Sequence, residues 1–194
     1  IAAYLLLFMI MSRAAARAAG KNVWLFSSAT GPDRFAAYGF RISFTIALVW
    51  PVALLALPGL ASLDFLTVAG SPLLASAGLF VAAVGAMIAF ASQVSMGASW
   101  RVGVKDGELG ALVSGGLYEY SHNPTFVGQA LLIIGTAAIA PSSGALLAAI
   151  LFLWSAYSQV RSEEIALQKT HDSAYTLYCR RVPRWLGIPA QVVK

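Results

Sequence analysis

Charge is scarce in this chain. Only 11% of its residues are Asp, Glu, Lys or Arg, against roughly a quarter in an average protein. Apolar residues reach 59% of 194, more than one aqueous core of that size hides, so lipid is the expected solvent. Cysteine occurs once, at Cys179, which rules out an internal disulfide. Two histidines and that one cysteine, spread along the chain, argue against zinc, and no metal is expected. There is no phosphate-binding P-loop, no Gly-x-Gly-x-x-Gly after a strand and no Gly-x-Ser-x-Gly elbow. The net charge of +5 does not form a continuous basic patch. Its residues sit between apolar runs, where they report membrane orientation and not a nucleic-acid partner.

Long apolar runs dominate what is present. A hydrocarbon core takes about 20 apolar residues as a helix. Five candidates appear, at 1–12, 35–57, 72–92, 124–140 and 142–160. The first precedes Arg13 and Arg17 and lacks a basic start, so it reads as a membrane segment and not a signal peptide. The alanine-rich run from Arg13 to Gly20 reads as helix. In the third, Gly78, Ala82 and Gly85 make a small-residue face for close helix contact. The expected fold is an all-α, single-domain membrane bundle of about five transmembrane helices with a cytoplasmic helical tail.

Loop charge alternates along these segments. Arg13, Arg17, Lys21 and Arg34 follow the first, none lies in 58–71, Arg101 and Lys105 follow the third, and none lies in 141–144. The tail carries Arg161, Lys169, Arg180, Arg181, Arg184 and Lys194. The positive-inside rule puts the basic loops and the tail in the cytoplasm and the N-terminus outside. The expected location is a multi-pass protein of a bacterial or archaeal cell membrane, its site facing the cytoplasm. The four-residue loop 141–144 makes the last two helices an antiparallel hairpin, so Gly115 to Gly128 and Arg161 to Arg184 should meet in space.

Each cluster has a plain reading and a functional one. Asn123 and Pro124 are a helix-start signal, either a simple cap or an anion-receptive helix N-terminus beside His122. Arg161 and Glu164, three apart, can pair along one helix face. Glu163 and Glu164 point in different directions, so one faces a pocket and the other solvent. Tyr175 and Tyr178 are one helical turn apart, as an aromatic wall or an interfacial anchor. Trp100 and Arg101 are either a belt pair or the border of a substrate entrance open to lipid.

The segment Leu112-Val-Ser-Gly-Gly-Leu-Tyr-Glu-Tyr-Ser-His-Asn-Pro-Thr-Phe-Val-Gly128 resembles the cofactor motif of the isoprenylcysteine carboxyl methyltransferase family. That family of integral-membrane methyltransferases is related to the phospholipid N-methyltransferases. Arg161-Ser-Glu-Glu-x-x-Leu167 and Tyr175-x-x-Tyr178-x-x-Arg181-Val-Pro183 resemble its later elements, in the same order. The resemblance covers about 97–183. The motif's arginine is His122 here and its tyrosine is Phe126. It implies S-adenosylmethionine as cofactor, bound by regions 97–128 and 159–184 without a Rossmann sheet. On that reading His122 and the helix start at Asn123 and Pro124 meet the cofactor carboxylate. Glu163 or Glu164 meets the ammonium or ribose, and Leu112, Val113, Tyr118 and Phe126 meet the adenine. Arg161 orients an anionic acceptor or pairs with Glu164. The acceptor is lipophilic or membrane-partitioning and enters near Trp100 and Arg101. Two alternatives stay open: an NADPH-dependent reductase of the sterol-reductase type, which Tyr178-Cys179-Arg180-Arg181-Val182-Pro183 also resembles, and an inactive membrane scaffold.

Overall fold

The computed structural model describes residues 1–20, 22–25, 31–64, 66, 71–103 and 110–190. Lys21, Lys105 and Lys194, part of the loop-charge pattern, lie outside the described residues. Among the described residues six α-helices follow one another: α1 Ala2–Ala19, α2 Gly31–Ala56, α3 Pro58–Leu63, α4 Pro72–Met96, α5 Pro124–Ile139 and α6 Ser143–Arg181. Four of them, α1, α2, α4 and α6, are long and apolar enough to cross a membrane. The fourth expected span, 124–140, is α5, which is apolar but has 16 residues. It reaches about 24 Å, short of a hydrocarbon core of about 30 Å. Large apolar side chains such as Leu55, Leu73 and Phe80 point outward, as an all-α bundle bathed in lipid requires.

Helix lengths depart from the apolar runs in an orderly way. α1 continues through the alanine-rich run until Gly20, whose positive φ of 63° ends it. α4 passes Ser92 and stops at Gly97. α6 continues well beyond the apolar run, expected to end at 160, to Arg181, so the expected tail is this same helix prolonged. It breaks once, at Asp172, a non-glycine residue with φ 41°. The break redirects the last turns, and Tyr175, Tyr178 and Val182 pack with Leu112 and Leu167 in a small cluster.

Glycine sets the closest helix contact. α4 and α5 run antiparallel, with Gly78 against Gly135 and Gly85 against Gly128. A Cβ on Gly85 would stand 2.5 Å from the Gly128 carbonyl oxygen, and one on Gly135 2.5 Å from the Ala82 nitrogen. The small face at Gly78, Ala82 and Gly85 is thus occupied by α5, backbone to backbone. α6 lies along α2 in the same antiparallel sense, with Ser155 at Gly39 and Trp50 at Gly144. α1 is tied in by buried polar bonds: the Gln93 side-chain amide donates to Phe8 O and Ser12 Oγ, the Trp100 indole donates to the same hydroxyl, and the Gln129 amide donates to Tyr4 Oη at 2.7 Å. Around these bonds an aromatic core forms from Tyr4, Phe8, Phe40, Phe44 and Phe152.

Candidate functional site

At the end of the bundle where α1, α4 and α6 finish and α2 and α5 begin, the chain pairs across long sequence distances. Val102 N–H donates to Val23 O and Leu25 N–H donates to Val102 O, which fixes the segment after α4. The segment after α6 returns beside the start of α5. His122 N–H donates to Pro183 O at 3.0 Å and Gly187 N–H donates to Tyr120 O at 3.1 Å. The Tyr178 hydroxyl donates to Tyr118 O at 2.7 Å. The two polar clusters therefore meet, joined by backbone bonds.

Between them lies a partly open cavity of about 90 Å³. Leu112, Val113, Tyr118 and Phe126 line one part of it, with Phe8, Phe40 and Trp100 deeper. Arg101 and Glu163 tie its walls together at 2.6 Å, with the arginine side chain only 7% exposed. Asp33 and Ser162 share a hydrogen bond at the same cavity, and Gln129 and Gln159 reach it from α5 and α6. A second, wider recess is lined by Arg161, Glu164, Gln168, Cys179 and Arg184. His122 and Tyr175 line both, forming the partition.

Several expectations need correction. Glu164 pairs with Arg184, in a two-pronged bridge of 2.8 and 2.7 Å, and not with Arg161. Arg161 is exposed and lays its guanidinium 5.9 Å from the Tyr157 ring centroid. Glu163 and Glu164 each face a recess, so neither is a plain solvent carboxylate. Their spacing of one residue turns them to opposite sides of the partition. Asn123 occupies the cap position of α5, and Pro124 the first turn, but the Asn123 side chain makes no cap bond. It donates instead to Arg184 O at 3.1 Å and so holds the tail. Trp100 is buried against Phe8 and bonded to Ser12, facing the interior and not lipid.

His122 sits between tyrosines, 4.8 Å from the Tyr178 ring and 6.1 Å from the Tyr175 ring. Burial lowers its pKa from the ordinary value, against the Val182 backbone and Glu164, which favour the charged form. Burial likewise raises the Tyr118 hydroxyl. Among the described residues, three buried polar atoms of the lining side chains have no hydrogen-bond partner: Arg101 Nε, His122 Nε2 and Tyr175 Oη. Unpaired groups of this kind cost stability unless something fills them. Sequence reading missed Asp33, Gln129, Gln159 and the Arg184 bridge, since each depends on which helix faces which.

A family model described as phospholipid methyltransferase matches residues 73–174, more than half the chain. The chain belongs to the phospholipid methyltransferase family. Among curated proteins none matches it. As a member of a family of methyltransferases with four apolar helices of spanning length, it is an integral membrane protein. The family match runs from the start of α4 into the last turns of α6, ending just before Tyr175, and takes in His122, Glu163 and Glu164. Asp33, Tyr178 and Arg184 lie outside it, so α2 and the tail complete the cavity walls from beyond the matched region.

Proposed function

We propose that this phospholipid methyltransferase family member uses S-adenosylmethionine to methylate a lipophilic or membrane-partitioning acceptor. The observation that carries this reading is the cavity joining the two motif regions. It offers an apolar and aromatic patch of Leu112, Val113, Tyr118 and Phe126 next to carboxylates and unpaired polar atoms. That donor set suits the cofactor. The patch takes the adenine, and Glu163 or Glu164 takes the ammonium or ribose hydroxyls. The start of α5 at Asn123 and Pro124, with His122 beside it, adjoins the carboxylate.

When bound, the cofactor supplies a methyl group on a positively charged sulfur, ready for in-line displacement. The residues then have three tasks: align the acceptor, keep water out, and manage charge. Tyr118, Phe126, Tyr175 and Tyr178 exclude water, all of them lining the cavity and three of them buried. Arg161 and Glu164 line the second recess, where Arg161 orients an anionic part of the acceptor. Trp100 and Arg101 border the acceptor's path from the inner wall. The site faces the cytoplasm on this account, because Arg13, Arg17, Arg34, Arg101 and the tail arginines all lie at its end of the bundle.

Calorimetry on detergent-purified protein tests the reading, with S-adenosylhomocysteine and NADPH as alternative ligands. Binding of S-adenosylhomocysteine alone is expected. Binding of NADPH alone would instead favour a reductase, and binding of neither a scaffold.

A further inference from the structure

The segment after α6 leaves large apolar side chains uncovered. Leu186 is 72% and Ile188 92% exposed, and Trp185 and Tyr120 are exposed as well. Backbone bonds hold these residues together. Gly187 N–H donates to Tyr120 O, and Ala190 N–H donates to Arg181 O at 2.8 Å. The patch is therefore a fixed part of the fold. It is separate from the candidate site, since none of these four side chains lines either recess.

Its height in the bilayer follows from the helix pairing. Gly128 of α5 packs between Gly85 and Ala89 of α4, and Gly135 packs between Gly78 and Ala82. In that antiparallel register Asn123 stands level with Ser92, where the apolar run of α4 ends. A stretch of about 20 residues from Pro72, or about 30 Å, reaches the same level. Asn123 thus marks the edge of the hydrocarbon. The Asn123 side chain donates to Arg184 O and His122 N–H donates to Pro183 O, so Trp185 to Ile188 lie at that edge too. Tryptophan and tyrosine favour this level of a membrane.

The charge beside the patch is positive. Arg180 and Arg181 are exposed, and among the described residues neither pairs with a carboxylate. Arg184 differs, because Glu164 neutralises it. Even with the exposed Glu119 next to Tyr120, the surface keeps a net positive charge. We propose that Tyr120, Trp185, Leu186 and Ile188, with Arg180 and Arg181, form a docking surface for an anionic phospholipid. The negative headgroup meets the two guanidiniums, and the acyl chains meet the apolar side chains. A soluble partner is disfavoured by the height of the patch, since headgroups already occupy that level.

The test uses the whole chain in phosphatidylcholine nanodiscs that carry a small share of acyl-brominated phosphatidylglycerol or acyl-brominated phosphatidylcholine. Bromine quenches tryptophan at contact range, and the emission that Trp185→Phe removes isolates Trp185 from the other tryptophans. At equal lipid share the brominated phosphatidylglycerol should quench that emission with a relative affinity of roughly fivefold, equivalent to one net positive charge at about 1 kcal/mol. Added salt should reduce the preference. Arg180→Gln combined with Arg181→Gln should bring the two lipids to equal quenching, and an unchanged Tm shows that this variant is folded. The preference of the unsubstituted chain and its loss in salt stand without the variant. Equal quenching by both lipids in the unsubstituted chain would overturn headgroup recognition. Quenching by neither would overturn lipid contact altogether and leave the patch to a protein partner or a second copy.

Discussion

Gly85→Ala is the sharpest perturbation of the frame that holds the site. The added Cβ would stand 2.5 Å from Gly128 O, 2.5 Å from Leu132 N and 2.7 Å from Leu131 Cβ. Ordinary Cβ contacts lie at 3.4–4 Å, and two of these three neighbours are backbone, which has no rotamer with which to yield. α4 and α5 must then part by about 1 Å, losing dispersion contacts along the seam. Overpacking of this kind costs about 1–3 kcal/mol, and a rigid backbone neighbour puts it toward the upper end. Alanine returns about 1 kcal/mol of helix propensity. The net loss is about 2 kcal/mol, or about 4–8 °C in Tm for a chain of this size. Gly59→Ala is the matched control, since it also sits in a helix but has nothing within 4 Å of the added Cβ. It should leave stability unchanged or raise it by up to ~1 kcal/mol. Thermal unfolding in one detergent reads both. Equal melting temperatures for the two variants would refute the close α4–α5 seam.

The remaining expectations concern the site. Asn123→Ala and Glu164→Gln should each weaken S-adenosylhomocysteine binding about tenfold, ~1.4 kcal/mol. Both side chains anchor Arg184, so the double variant should fall short of the product of the two, in a calorimetric double-mutant cycle. Glu163→Gln leaves the Arg101 guanidinium nearly buried without its partner charge. It should cost about 1–3 kcal/mol in chemical unfolding, less than a fully buried pair because Glu163 is part-exposed. Acid should destabilise the protein through His122. Its folded pKa is lowered, so below about 6.5 the unfolded chain takes up a proton that the folded chain refuses. Stability is full above that pH and falls as pH drops toward the folded value; unfolding measured in that window should lose this slope in His122→Gln.

Much of this arrangement is legible in the sequence because it depends on local periodicity. Apolar run length places α1, α2, α4, α5 and α6, and Gly78, Ala82 and Gly85 mark the face that α5 covers. The short loop after α5 forecasts the meeting of the two polar clusters, and their backbone bonds realise it. What the sequence conceals is partner choice across space. Spacing of three suggests Arg161 for Glu164, yet the tail folds back and delivers Arg184. A residue before a helix-start proline suggests a cap, yet Asn123 finds the nearer Arg184 carbonyl. Asp33 lies in α2's first turn, and only the packing of α2 on α6 brings it to Ser162 and the cavity. The inward turn of Trp100 follows from Ser12, a single small hydroxyl on a helix distant in sequence.

If the two motif regions form one cofactor cavity, a structure of the protein with S-adenosylhomocysteine will show the ligand between them. The adenine should lie against Leu112, Val113, Tyr118 and Phe126, with Glu163 or Glu164 on the amino group or ribose. Ligand density confined to the outer recess beside Arg161 and Cys179, with the inner cavity unchanged, would contradict it.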